Sequence, residues 1–203
     1  MLRTLLILLA VSCFSCNGAR TSQPDSSKES AQTLNELETA ASYNIYASLG
    51  SLEFEISFAL RTKDLKSFPD GRYPWIRIDS PQIDLPFLID KDGIVIDDTK
   101  AVLVIDYPLS IPYKADLTSS SGFSREQLVK EISRHYYKLY AEEESTATVK
   151  TVPVAERKTL YNRNKTNGRY GIWGHDISDL ALTTIRVYKS KSGELILVLD
   201  IDS

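Results

Sequence analysis

A histidine beside carboxylates is the one grouping in this sequence whose residue types could carry acid/base chemistry or hold a cation. His175 and Asp176 follow Trp173-Gly174, Asp179 comes one turn later, and Asp200 and Asp202 lie near the end of the next apolar run. An imidazole titrating near neutrality with a convergent carboxylate is the minimum equipment for proton transfer. The spacing matches no metal-binding motif, and Asp176 with Ser178 equally suits a turn held by side-chain to backbone bonds. His175 and Asp176 are therefore weak catalytic candidates, and no metal or cofactor is expected.

The stretch before them is a stronger candidate for binding. Ala155 to Tyr170 reads A-E-R-K-T-L-Y-N-R-N-K-T-N-G-R-Y, five bases against one acid, in a chain whose formal net charge is −3. Interleaved asparagines and tyrosines suit an acidic protein face, a carboxylated or sulfated glycan, or lipid headgroups. The loop runs into Gly168-Arg169-Tyr170-Gly171-Ile172-Trp173-Gly174, where glycines let backbone approach a ligand closely. The candidate binding set is Arg157, Lys158, Tyr161, Arg163, Lys165, Arg169, Tyr170, Trp173 and His175, with the bases read as exposed on a long loop. A solvated loop with no ligand is the plain alternative.

Two apolar runs after this turn must hold it. Leu180 to Tyr188 and Leu195 to Ile201 flank Lys189-Ser190-Lys191-Ser192-Gly193, a C-terminal β-hairpin by pattern and turn chemistry. Leu195 to Leu199 is apolar at every position, so both faces of that strand should be covered and it should lie inside the sheet. Ala101 to Tyr107 is the second strongly apolar strand, ended by Pro108, with Pro112 opposing early resumption of a ladder. Phe54, Ile56, Phe58 and Leu60 alternate with more polar neighbours, which predicts a strand with one buried face. Trp75 to Asp79 reads as another strand. Phe87-Leu88-Ile89 and Ile94-Val95-Ile96 flank Asp90-Lys91-Asp92-Gly93 as a hairpin; that turn lacks the further oxygens and terminal Glu of a calcium loop.

One helix stands out. Ser124 with Gln127 forms a capping box, and Leu128, Val129, Ile132, Tyr136, Leu139 and Tyr140 recur at helical spacing. His135 falls at the edge of that stripe and reads as a hydrogen-bonded boundary residue. Glu142-Glu143-Glu144 oppose the macrodipole at the helix C-terminus, which predicts fraying into a solvated acidic run.

The N-terminus carries Met1-Leu2-Arg3, an apolar run from Thr4 to Val11, and then Ser12-Cys13-Phe14-Ser15-Cys16-Asn17-Gly18. The run is too short to span a bilayer and fits a signal-peptide core. It resembles a bacterial lipoprotein leader, in which the Cys after a small residue is lipidated and becomes the new N-terminus. The resemblance covers residues 1–16 and implies lipidation at Cys16; Cys13 and Phe14 depart from the strict pattern. Ala10-Val11-Ser12-Cys13 is a competing site, and an ordinary cleaved secretory signal a further reading. Cys16 is preferred because polar Asn17-Gly18 follows it and cleavage there leaves no second cysteine. No disulfide, cysteine nucleophile or Cys-ligated zinc then remains for the folded domain. Residues 17–42, rich in Ser, Thr, Gln and Glu, read as a polar tether, with a short helix from Thr33 to Ala41 presenting Leu34, Leu37 and Ala41.

The expected architecture is a single α+β domain over residues 43–203: a mostly antiparallel sheet, one long helix packed on it, and the C-terminal hairpin. There is no G-x-G-x-x-G, P-loop or G-x-S-x-G. The leading functional expectation is a lipid-anchored protein of the bacterial cell envelope with a non-enzymatic domain that binds an acidic protein or glycan; nucleic acid is not an expected partner. An envelope hydrolase using His175 with a carboxylate, and a periplasmic immunity or inhibitor protein, are the alternatives.

Overall fold

The computed structural model describes residues 48–158 and 163–203. The leader, the tether and Cys16 lie outside the described residues, as does Tyr161. The architecture is α+β. The main sheet runs β1 (Ser51–Ser57), β9 (Ala181–Lys189), β10 (Leu195–Asp202), β6 (Lys100–Ile105) and β7 (Tyr113–Thr118), with the two-residue β4 (Ile76–Arg77) also pairing β9. All pairings are antiparallel except β10 with β6, which are parallel with Leu197 opposite Leu103.

Strand β10 is central because its sequence is apolar on both sides. Leu195, Leu197 and Leu199 join the core under the long helix, while Val198 and its neighbour Ile196 pack on the other face with Leu49, Val102, Val104 and Tyr188. Strand β6 alternates in step: Ala101, Leu103 and Ile105 face the first cluster, Val102 and Val104 the second. A strand with apolar residues on both faces is stable only where both faces are covered.

The capping box sets the start of helix α2 (Arg125–Thr146): Ser124 Oγ accepts the Gln127 amide at 3.3 Å, and Gln127 Oε1 accepts the Ser124 amide at 2.8 Å. Leu128, Val129, Ile132, Tyr136, Leu139 and Tyr140 are all buried in the sheet-facing core. The helix also fastens the segment after β4, since the Ser133 hydroxyl donates to the Ile78 carbonyl and the Tyr137 hydroxyl to that of Asp79. His135 is buried; its Nδ1 meets the Tyr113 hydroxyl at 2.6 Å.

Several local expectations are corrected. Phe87 to Ile89 forms no strand. Pro81–Asp84 is a short helix (α1) running into a 3₁₀ turn over Leu85–Phe87, because Pro81 and Pro86 preset helical φ and withhold amides a ladder would need. The Asp90 to Gly93 turn forms, with the Gly93 amide on the Asp90 carbonyl, but β5 (Ile94–Ile96) pairs instead with β8 (Phe123–Ser124). Strand β7 begins at Tyr113 directly after Pro112. It is an edge strand, where a proline at its threshold costs no central hydrogen bond. In β1 a bulge between Leu52 and Phe54 shifts the register; of the alternating apolar residues, Ile56 and Phe58 are buried, whereas Phe54 is 42% exposed. The strand expected over Trp75 to Asp79 shrinks to β4.

Candidate functional site

The expectation of a frayed, solvated acidic run fails at Glu143. Helix α2 continues to Thr146, and Glu143 is fully buried. Its carboxylate accepts the Thr166 hydroxyl at 2.6 Å and the amides of Gly168, Tyr170 and Gly171 at 2.8, 2.7 and 3.1 Å. Burial pushes its pKa up; the Thr166 hydroxyl and the three amides more than offset that and hold it below the ordinary value. The unfavourable position against the helix dipole is thus outweighed by four directed donors. Glu142 accepts the Tyr170 hydroxyl, and Glu144 accepts the Thr151 hydroxyl at 2.8 Å. Glu142 and Glu143 clamp the Asn-Gly-Arg-Tyr-Gly stretch onto the end of the helix, while Glu144 holds the segment at Thr151.

The same stretch is stitched to the segment after β6. The Ser110 and Ile111 amides donate to the Tyr170 carbonyl, and Trp173 donates its amide to Pro108. Tyr170 and Trp173 are buried, and the Trp173 ring meets Tyr107 edge to face. Gly171 and Gly174, at φ of 63° and 73°, supply the left-handed conformations this tight path requires. His175 is half-buried and its carbonyl accepts the Tyr140 hydroxyl at 2.9 Å.

The reading of the loop bases as exposed is corrected at two positions. Arg157 grips Asp176 with two bonds, Nη1 to Oδ2 at 2.6 Å and Nη2 to Oδ1 at 3.1 Å, while its Nε donates to the Val152 carbonyl. Arg163 is buried: it donates to the Thr151 hydroxyl, lies over the Tyr140 ring at 4.9 Å and sits 3.8 Å from Asp176. Arg169 is exposed but pairs with Glu142 at 3.5 Å. Lys158 and Lys165 are exposed. The charge segregation visible in the sequence is therefore largely neutralised at home, where guanidinium forks suit partly buried carboxylates.

This also decides what His175 and its neighbours can do. Both Asp176 oxygens are engaged by Arg157, and the Asp179 carboxylate accepts the Asp176 amide at 2.8 Å in a capping box over a single 3₁₀ turn, Ile177–Asp179. Asp200 pairs with Arg186 at 2.5 Å. The arrangement is built to hold a turn. Among the described residues no cluster of three or more His, Cys, Asp or Glu is poised for a metal ion.

A different surface carries uncommitted chemistry. Strands β2 (Leu60–Arg61) and β3 (Arg72–Tyr73) form a small hairpin closed by Asp64, whose side chain accepts the Ser67 amide, and by Asp70, which accepts the amide of Arg72. The side chains of Arg61, Lys63, Lys66 and Arg72 enter no hydrogen bond or ion pair among the described residues. Beside them Phe68, Tyr73 and Trp75 make a half-exposed aromatic cluster, with Tyr73 and Trp75 centroids 4.2 Å apart. Leu65 and Phe87 are 60% and 54% exposed. The sequence signal was present, five bases and two acids from Leu60 to Arg77 around three aromatics. It was masked because the pattern also reads as a strand, a turn and a strand. No protein family, curated protein or solved structure matches the chain, and no helix among the described residues is long and apolar enough to cross a membrane.

Proposed function

We propose that the protein is a lipoprotein of the bacterial cell envelope, anchored through Cys16, whose domain binds an acidic protein or glycan without catalysing a reaction. The recognition face is the β2–β3 hairpin and the aromatic cluster beside it. The observation that carries this reading is the contrast between the two basic stretches. Arg157, Arg163 and Arg169 are paired within the domain, whereas Arg61, Lys63, Lys66 and Arg72 keep their charge for a partner. Clustered cations beside half-exposed aromatic rings provide both encounter steering and a contact area that is cheap in entropy to order. The hydrolase alternative is weaker, because the carboxylate nearest His175 in sequence is held by Arg157.

The test replaces Arg61, Lys63, Lys66 and Arg72 with Ser, and in a separate variant Lys158 and Lys165. Folding stability should stay within about 1 kcal/mol of wild type in both, as exposed charges contribute little. Crosslinking in whole cells should then recover the wild-type partner from the loop variant and lose it from the hairpin variant, and association of the hairpin variant should lose most of its salt dependence. The reverse ranking would return the binding face to the loop. A His175→Ala variant that abolishes a measurable turnover would replace binding with catalysis.

A further inference from the structure

A cleft of about 440 Å³ opens between the hairpin and the 81–87 turn, within the size range of small-ligand sites. Its walls include Arg61, Thr62, Tyr73, Arg77, Asp84 and Phe87. Asp84 is buried and locks the Arg77 guanidinium in place: Oδ2 accepts Nε at 3.0 Å and the Arg77 amide at 3.1 Å, and Oδ1 accepts Nη2 at 2.5 Å. Burial raises the Asp84 pKa, and the Arg77 bonds and charge bring it below its ordinary value, so the pair is ionised at neutral pH. Arg77 Nη1 has no partner among the described residues, and the Arg77 side chain remains 47% exposed. Arg61 lines the same cleft and has no side-chain partner among the described residues.

We propose that this cleft holds a carboxylate-bearing sugar unit of a glycan; the proposal rests on the binding reading above and names its ligand class. Two guanidiniums against one carboxylate leave the cleft one positive charge in excess, which a single ligand carboxylate balances. Arg61 and the open edge of Arg77 offer that carboxylate a forked set of donors, one of them already oriented by Asp84. Phe87 and Tyr73 present ring surface, and an exposed ring beside polar donors is suited to the face of a pyranose, which carries C–H bonds between its hydroxyls. The Thr62 hydroxyl can both donate and accept, as sugar hydroxyls require. The concavity favours one small unit at a time over a broad acidic protein face, which needs on the order of 800 Å² per partner.

The experiment titrates the full-length protein in detergent with three probes: oligogalacturonate, a neutral malto-oligosaccharide and poly-glutamate. Tryptophan fluorescence and calorimetry are the readouts. Oligogalacturonate should bind, the neutral sugar should not, and raised salt should weaken the complex. Arg61→Gln and Phe87→Ala should each weaken binding by about tenfold or more with the melting temperature unchanged. Equal binding of the neutral sugar, or wild-type affinity in Arg61→Gln, would overturn the proposal. Binding of poly-glutamate with none of oligogalacturonate would overturn the ligand class while leaving the hairpin as a binding face. A crosslinked partner insensitive to the hairpin substitutions would overturn the underlying reading as well.

Discussion

A Cβ placed on Gly168 would lie 2.5 Å from the Glu143 carbonyl oxygen and 2.7 Å from its carboxyl carbon. Glycine is therefore what allows the loop to close over the end of helix α2, and the carboxylate is what keeps it closed. Gly168→Ala should cost about 1–3 kcal/mol, because backbone must move to relieve the overlap. Glu143→Gln keeps the shape but turns one acceptor into a donor facing backbone amides, and should cost roughly 2–3 kcal/mol. Chemical denaturation of both variants checks this; wild-type midpoints would show that the loop does not depend on the clamp.

Stability should fall in two separate windows on acidification. Burial, and then the charge of Arg134, hold the His135 pKa below its ordinary 6.5. A depressed histidine contributes stability above its unfolded pKa and loses it as pH falls through the lower folded value. Glu143, also depressed, contributes above its ordinary 4.5 and loses that contribution as pH falls through its folded value. Denaturant midpoints against pH should therefore drop first below about pH 6.5 and again below about pH 4.5. His135→Gln should remove the upper drop alone.

The Arg157–Asp176 fork should behave as a coupled pair. Arg157→Ser should destabilise by about 2 kcal/mol, since it removes both hydrogen bonds to the Asp176 carboxylate and leaves it only the more distant Arg163 at 3.8 Å. Lys158→Ser and Lys165→Ser should change stability by no more than about 0.5 kcal/mol. A double-mutant cycle in urea measures the coupling, and independent effects of Arg157→Ser and Asp176→Ser would count against the fork.

Removing residues 195–203 should abolish cooperative folding, because β10 lies between β9 and β6 and its loss leaves two rows of backbone groups unpaired. Limited proteolysis of the truncated chain is the check, and a resistant fragment would contradict it.

On the proposed lipoprotein reading, Cys16→Ser should release the protein from the membrane fraction while a Cys13→Ser variant stays bound, because an acyl anchor would contribute about 0.8 kcal/mol per buried CH₂. Release by Cys13→Ser alone would move the anchor.

The large elements were legible because their signals are local and redundant. The Ser124–Gln127 box and the stripe from Leu128 to Tyr140 specify α2, and the unbroken apolar run of Leu195 to Leu199 specifies a covered strand. Edge and short elements were not legible. Tyr113 to Thr118 pairs only with β6, a contact made across a proline-bounded loop, and Ile94 to Ile96 pairs with Phe123–Ser124 far along the chain. The polar site misled for a related reason. Composition locates charge but not its partners, so Arg157 and Asp176, 19 positions apart, looked like separate candidates. Glu143 likewise carries no sign in its own neighbourhood that three amides beyond residue 167 will converge on it.

The placement of β10 also bears on how the domain comes into being. A chain delivered N-terminus first, from a ribosome or through a translocation channel, has both halves of its sheet waiting on residues 195–202. Strand β6 emerges early, yet its Val102 to Val104 edge finds its parallel partner only when Ile196 to Val198 arrive more than ninety positions later. Contacts so distant in sequence are slow to form. Until then β6 lacks its parallel neighbour, and closure of the sheet waits on residues 195–202.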